Sequence, residues 1–241
     1  MVRVVGPGAL QEGLLVTTHP LVGIVGGTGP AGAGLALRLA AAGVAVRLGS
    51  RDLERARAKA DELNTRWPLV APIVGVDNHA ACAAEIVILA TSADAIVATA
   101  AELRDALRGR VTVCMANLLT RTKRGFEAVL PPEGSVARAV HEAAPEATLV
   151  AAFQNLPAAA LADLDRSLSA DVLVCGDDPD AVAVVLALTR TMAGLDPIDA
   201  GPLANAGGVE SLTAILLNVN RALHGEFSVR LVDLHGRSPS R

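Results

Sequence analysis

Short, almost wholly apolar runs recur along the chain, separated by segments whose apolar residues return every three or four positions. The runs at 21–25, 44–48, 72–76, 85–90, 111–115, 148–153, 172–175 and 197–199 predict strands. The intervening segments predict helices over 31–42, 52–63, a stretch ending at 107, 134–144 and 179–193, with a short helix opened by Asp77 and Asn78. A run such as 85–90 is continuously apolar rather than alternating, the pattern of a strand buried on both faces of a parallel sheet. Strands alternating with helices of this length predict an α/β fold, a doubly wound, mostly parallel Rossmann-type sheet with a small helical C-terminal part. The expected organisation is an N-terminal extension over 1–20, a dinucleotide-binding unit over 21–200 and a helical segment over 201–241.

The last helix is expected over 208–224. Val209, Leu212, Ile215, Leu216, Val219 and Leu223 form one wide apolar stripe on it, and Gly225 is placed to end it. That stripe suits packing on the chain's own sheet or on a second subunit, and the pattern does not choose between them.

The first strand runs into a glycine cluster. Gly27-x-Gly29-x-x-Gly32 has the dinucleotide-binding spacing, and it sits between a strand and a helix as that motif requires. Gly27 is expected to make the tight turn, Gly29 to let the backbone approach a pyrophosphate, and Gly32 to let helix and strand pack closely. Pro30 falls in the first helical turn, where its missing N–H costs nothing. The free N–H groups there suit phosphate.

The second strand ends in Gly49-Ser50-Arg51, with Arg55 one helical turn on. NAD sites place a carboxylate at this point to accept from the ribose 2′-hydroxyl. A guanidinium can instead grip a 2′-phosphate in bidentate fashion, so these residues predict NADP. The competing reading makes Ser50 a helix cap and the two arginines solvated charges. After the fourth strand, Thr91 is placed to meet the nicotinamide ribose, and Ser92 suits an N-cap.

Composition narrows the partners. The 241-residue chain is 51% hydrophobic but only 2% aromatic, so alanine, valine and leucine must build its core. A net charge of −4 gives no basic field for nucleic acid or an anionic membrane. Residues 21–46 carry Arg38 as their only charge ahead of position 47, but Pro30 and the glycines divide them into strand, turn, helix and strand, not a membrane span. Residues 1–20 lack the unbroken apolar stretch of a signal peptide. Cys82, Cys114 and Cys175 are widely spaced, with no CxxC pair, which reads as reduced core cysteine in a cytoplasm.

Four stretches resemble one family, the NADP-dependent oxidoreductases of coenzyme F420. They are Gly26-Gly27-Thr28-Gly29 with Gly32 and residues 35–40; Gly49-Ser50-Arg51; Val174-Cys175-Gly176-Asp177-Asp178; and Asp199-Ala200-Gly201-Pro202-Leu203 with Glu210-Ser211-Leu212-Thr213. The resemblance runs over nearly the whole chain from Gly23. It implies a homodimer that transfers a hydride between nicotinamide C4 of NADPH and C5 of the deazaflavin F420. It implies that Thr28, Gly29, Pro30 and Ala31 line the pyrophosphate, and that Ser50, Arg51 and Arg55 hold the 2′-phosphate. Thr91 and Ala152 would flank the nicotinamide half, with Asn117, Gln154, Asn155 and Leu203 toward the deazaflavin. Two loops depart from the family pattern: Thr91-Ser92-Ala93 stands where a Thr-x-Pro-Trp sequence is usual, and Gln154-Asn155 where histidine is frequent.

The chain has no tyrosine, which excludes a Tyr–Lys dehydrogenase mechanism, and neither Lys59 nor Lys123 opens a Lys-x-x-x-Asn motif. His141-Glu142 has no second histidine four residues on, and the other histidines are scattered, so no metal site is expected. Asp177-Asp178 before Pro179 reads as a turn and helix cap. Hydride transfer between two rings needs placement rather than acid–base help, so no catalytic side chain is expected. Arg121, Lys123 and Arg124 could attract the phosphate and glutamate tail of F420, or be an ordinary solvated loop. The alternatives to an F420-linked enzyme are an NADPH-dependent reductase of a flavin or ferric chelate, and a non-catalytic NADP-binding protein.

Overall fold

A computed structural model describes residues 19–234. The expected extension over 1–20 lies outside the described residues except for its last two.

One eight-stranded sheet organises the chain. In chain order its strands are β1 (Val22–Val25), β2 (Val46–Ser50), β3 (Ile73–Asp77), β4 (Ile86–Leu89), β5 (Val111–Cys114), β8 (Thr148–Ala151), β9 (Ala170–Gly176) and β10 (Leu195–Asp199). Their spatial order is β10-β9-β8-β5-β4-β1-β2-β3. Six strands from β3 to β8 run parallel, with Val22 beside Val46 on one side and Ile86 on the other. β1 and β4 are buried along their whole length, as their unbroken apolar sequences require. The chain reverses its direction of winding between β1 and β4, and a crevice opens there at the carboxyl ends of the strands.

The edge beyond β8 departs from the all-parallel pattern: β9 pairs antiparallel with β8, and β10 parallel with β9. The segment after β8 carries the chain back through a short helix, α7 (Ala158–Leu161), before β9 begins. Arg38 fixes that segment. It stands on α1 (Pro30–Ala41) and donates to the carbonyls of Ala160 (2.7 Å), Leu161 (3.2 Å), Arg166 (2.8 Å) and Asp163. The lone charge in an apolar stretch thus satisfies carbonyls that no strand reaches, using the fork of a guanidinium.

Acidic caps start the helices where the sequence puts them. Asp52 accepts from Arg55 N (3.1 Å) to open α2 (Leu53–Arg66), Asp77 from Ala80 N (2.7 Å) to open α3 (Asn78–Ala81), and Asp178 from Ala181 N (2.9 Å) to open α8 (Pro179–Arg190). The helix expected to reach 107 is two, α4 (Ala93–Glu102) and α5 (Arg104–Leu107), parted at Leu103.

Residues 120–125, expected as a polar loop, are the end of one strand and the turn of an antiparallel ribbon, β6 (Leu119–Arg121) and β7 (Phe126–Ala128). Helix α6 (Val136–Ala143) follows. The last helix, α9 (Ala206–Leu223), packs on the ribbon and on α6. Its left-handed terminal residue is His224 (φ +50°), one position before Gly225. Only part of the stripe on α9 is covered: Val209 is buried, whereas Ile215 and Leu223 are 58% and 63% exposed.

Candidate functional site

The turn after β1 is built on Gly26, which takes φ +69° and whose missing Cβ leaves room for the Thr91 methyl group. The tight-turn role expected of Gly27 therefore belongs to its neighbour. Gly27 is required for packing instead, because a Cβ there would stand 2.6 Å from the Leu48 side chain. Asn78 of α3 clamps the turn, its Oδ1 accepting from Gly26 N at 3.1 Å. Gly32 lets α1 approach the turn: a Cβ there would meet Gly27 Cα at 2.9 Å and Ala90 Cβ at 3.0 Å.

Gly29 is different. It caps α1 with extended backbone (φ −73°, ψ 162°), and a Cβ there would meet nothing closer than Gly26 O at 3.7 Å. No packing among the described residues demands glycine at that point. The open space lies beside the free N–H groups that begin α1, where a pyrophosphate needs it.

At the end of β2, Ser50 is buried and its Oγ accepts from Asp52 N at 3.2 Å, leaving its hydroxyl proton free to be donated. Asp52, not Ser50, caps α2, so the carboxylate nearest the strand end is committed to that helix. Arg51 and Arg55 are exposed, and neither guanidinium has an ion pair or hydrogen bond among the described residues. Their neighbours Arg57 and Lys59 are paired, with Glu54 (2.8 Å) and Glu62 (2.5 Å). Two unpaired guanidiniums thus flank a hydroxyl at the end of β2.

The crevice between β1 and β4 is a cleft of about 420 Å³. One wall is the start of α1, Gly29 to Ala31, and another is the turn Ala90 to Ala93 after β4. Met115, Ala116 and Asn117 follow β5, Phe153, Gln154 and Leu156 follow β8, and Thr213 of α9 closes the far side. None of these lining side chains is ionisable.

The polar groups of the cleft are tied to one another. Asn117 Nδ2 donates to Thr213 Oγ1 (3.1 Å) and to Gln154 O (3.3 Å), and Thr213 Oγ1 donates to Gln154 O (2.9 Å). Gln154 Nε2 donates to Cys114 O (3.0 Å), whereas Gln154 Oε1 and Thr91 Oγ1 are buried with no partner among the described residues. Buried orphan polar atoms beside a cleft are what a bound ligand would satisfy. Phe153 is buried yet holds φ +73°, a strained conformation for an aromatic residue, and it sets the course of the loop that lines the cleft.

Three expected site residues stand elsewhere. Ala152 is fully buried in the core, one residue short of the lining, and its N–H donates to Cys114 O (3.2 Å). Asn155 turns away, giving Nδ2 to Asp171 O (2.7 Å). Leu203 is buried against α6, its N–H held by Asp177 Oδ1 (2.9 Å), beside a separate hollow with Arg138 and His141. The core chemistry is inert here: burial pushes the Cys114 thiol up to about 12 and those of Cys82 and Cys175 to about 11.

The family described as NADP oxidoreductase coenzyme F420-dependent matches residues 21–118. An F420-dependent NADP reductase of Methanocaldococcus jannaschii is 36% identical over 205 residues, which cover 83% of this chain and 92% of that protein. The chain belongs to the F420-dependent NADP reductase family. A crystal structure of a candidate F420-dependent NADP reductase from Arthrobacter sp. FB24 superposes with a TM-score of 0.72 at 26% identity, covering 88% of this chain and 99% of that one. The metalloreductase STEAP3 of Rattus norvegicus is 30% identical over 82% of this chain, but only 37% of that longer protein is matched.

Within this F420-dependent NADP reductase fold, Met115, Phe153 and Thr213 are lining residues that the sequence reading did not select. Thr213 follows Glu210 by three residues, so the helical period that buries Glu210 also aims Thr213 inward. Nothing in the sequence announces the left-handed backbone of Phe153. Glu210 is 2% exposed and grips the start of α6, accepting from Val136 N (2.8 Å) and Ala137 N (3.0 Å). Burial raises its carboxyl above the ordinary range, against the opposing pull of those two donors.

Proposed function

We propose that the protein transfers a hydride between NADPH and coenzyme F420 in the cleft at the ends of β1, β4, β5 and β8. When bound, the two cofactors supply the chemistry themselves: a hydride leaves nicotinamide C4 for C5 of the deazaflavin, with one proton taken from water. The observation that carries this reading is the uncharged wall of the cleft. A carbonyl substrate would call for a general acid near the reacting oxygen, whereas ring-to-ring transfer calls for stacking and for exclusion of water.

The chain's own residues then bind and orient. Gly27 and Gly32 hold the turn in shape, while Thr28, Gly29, Pro30 and Ala31 receive the pyrophosphate at the start of α1. Ser50, Arg51 and Arg55 hold the 2′-phosphate, which matches their unpaired donors. Thr91 Oγ1 and Gln154 Oε1, both without a partner, face the nicotinamide and deazaflavin halves respectively. Asn117 and Thr213 set the position of the Gln154 backbone.

The working form is a homodimer in the cytoplasm, with the exposed half of the α9 stripe at the subunit interface. The exposure of Ile215 and Leu223 supports this assignment. Ile215→Glu is expected to yield a monomer by sedimentation; an unchanged dimer would remove α9 from the interface.

Mixing the protein with NADPH and F420 tests the function. Both chromophores are expected to bleach in equal amounts. NADPH loss seen with a flavin or ferric chelate and absent with F420 would overturn the reading in favour of a metalloreductase-like activity, the direction in which the STEAP3 similarity points.

A further inference from the structure

The β6–β7 ribbon grows directly out of the cleft wall. Asn117 lines the cleft, and two residues later the chain is in β6. The ribbon is closed at its base by Val129 N to Leu118 O (2.9 Å) and at its tip by Thr122 N to Gly125 O (2.7 Å). Arg121, Lys123 and Arg124 crowd that tip. All three are exposed, and none of their side chains has an ion pair or hydrogen bond among the described residues. Glu127 is the ribbon's one carboxylate, so the ribbon is cationic on a chain whose net charge is −4.

The ribbon is held firmly against α9. Asn218 accepts from Phe126 N (2.9 Å) and donates to Phe126 O (2.8 Å). Gly125 makes that approach possible, since a Cβ there would stand 2.1 Å from Asn218 Oδ1. Thr213, which closes the cleft, lies on the same helix, about 7–8 Å along the axis from Asn218. One rigid helix therefore fixes both the cleft and the cationic ribbon beside it.

From this juxtaposition we infer that the tip of the ribbon is a subsite for the anionic tail of the deazaflavin, its phosphate and glutamate carboxylates, a reading that rests on the function proposed above. The span from Asn117 to Arg121 is about 13 Å of extended chain. A ribityl-phospholactyl-glutamyl tail leaving a ring in the cleft is longer than that. Three unpaired cations on an anchored ribbon suit a flexible polyanion, attracting it by charge rather than by fixed geometry.

The experiment compares F420 with its tail-less chromophore, which ends at the ribityl hydroxyl, in the wild-type protein and in R121A/K123A/R124A. Three exposed charge pairs together are worth on the order of tenfold. The ratio of kcat/KM for F420 to that for the tail-less chromophore is expected to fall by that factor in the triple variant, through KM rather than kcat. In the wild-type protein the same ratio is expected to fall toward the variant's value as salt approaches 1 M, where the screening length is about 3 Å. A ratio that is indifferent both to the substitutions and to salt overturns the subsite while leaving hydride transfer standing. Failure of the wild-type protein to reduce either deazaflavin overturns the proposed function, and the subsite with it.

Discussion

Replacing Arg51 by alanine tests the cofactor assignment at its most exposed point. The guanidinium has no partner among the described residues, so its removal breaks no hydrogen bond or ion pair there. Whatever is lost on substitution is lost from the complex. A net hydrogen bond to a charged group contributes about 1.5–3 kcal/mol, but an exposed ion pair contributes only about 0.2–1 kcal/mol. Arg51 is placed between these limits, because it is open to solvent but follows the buried Ser50 directly in sequence, with the second cation, Arg55, four residues on. A loss of about 1–2 kcal/mol corresponds to a Kd for NADPH roughly 5–30 times higher. Fluorescence titration with NADPH and with NADH reads the effect. NADPH affinity is expected to fall by that factor at low salt and by less as salt screens the wild-type contact, while NADH affinity stays within twofold. Equal weakening of both cofactors would refute the reasoning, since NADH has no 2′-phosphate to lose.

The glycines of the turn give a sharper contrast. Gly29→Ala is expected to leave the melting temperature within a degree or two, because its Cβ makes only an ordinary contact, with Gly26 O at 3.7 Å, and yet to weaken NADPH binding at least tenfold, about 1.4 kcal/mol; intact binding would mean that the space beside it is not the pyrophosphate's. Gly32→Ala is expected to lower the melting temperature instead, because its Cβ falls 2.9 Å from Gly27 Cα. Gln154→Ala is expected to raise KM for F420 and spare NADPH affinity; an effect confined to NADPH would move Gln154 to the other half of the cleft. Glu210 predicts a pH dependence. Because burial raises its carboxyl in the folded protein, its stabilising contribution is whole below the unfolded-state pKa and is lost as pH rises through the higher folded value. Urea midpoints measured across that window should slope downward with pH in the wild-type protein and more shallowly in Glu210→Gln; parallel slopes would contradict the assignment.

Much of the fold was written in local patterns. The continuous apolar strands, the Asp52, Asp77 and Asp178 caps and the glycine motif are short-range features, and they place β1 to β5, β8 and their helices. What escaped is set by long-range contacts. The reversal of β9 depends on a connection held from α1 by Arg38, and no single stretch of sequence encodes that meeting. The ribbon escaped because its strands are three residues each and only half apolar; it is fixed by Asn218 of a helix about ninety residues away. At the site, the grouping of Ser50 with Arg51 and Arg55 was legible as local sequence, and both guanidiniums lack a partner among the described residues. The positions of Ala152 and Asn155 were not legible, because a single residue's step along a loop turns a lining residue into a buried one, and Leu203 is set by its long-range packing against α6 beside a separate hollow. Phe153 fixes that step by its left-handed backbone, a conformation that tertiary packing imposes.

Isotope tracing tests hydride transfer most directly. NADPH carrying deuterium at either face of nicotinamide C4 is incubated with F420 and the protein, and the product deazaflavin is examined by mass spectrometry and NMR. One of the two labelled epimers should deliver its deuterium to C5 of F420H2, with none appearing in water. Deuterium that is lost to solvent, or that remains in the nicotinamide from both epimers while F420 is reduced, would contradict direct transfer in this cleft.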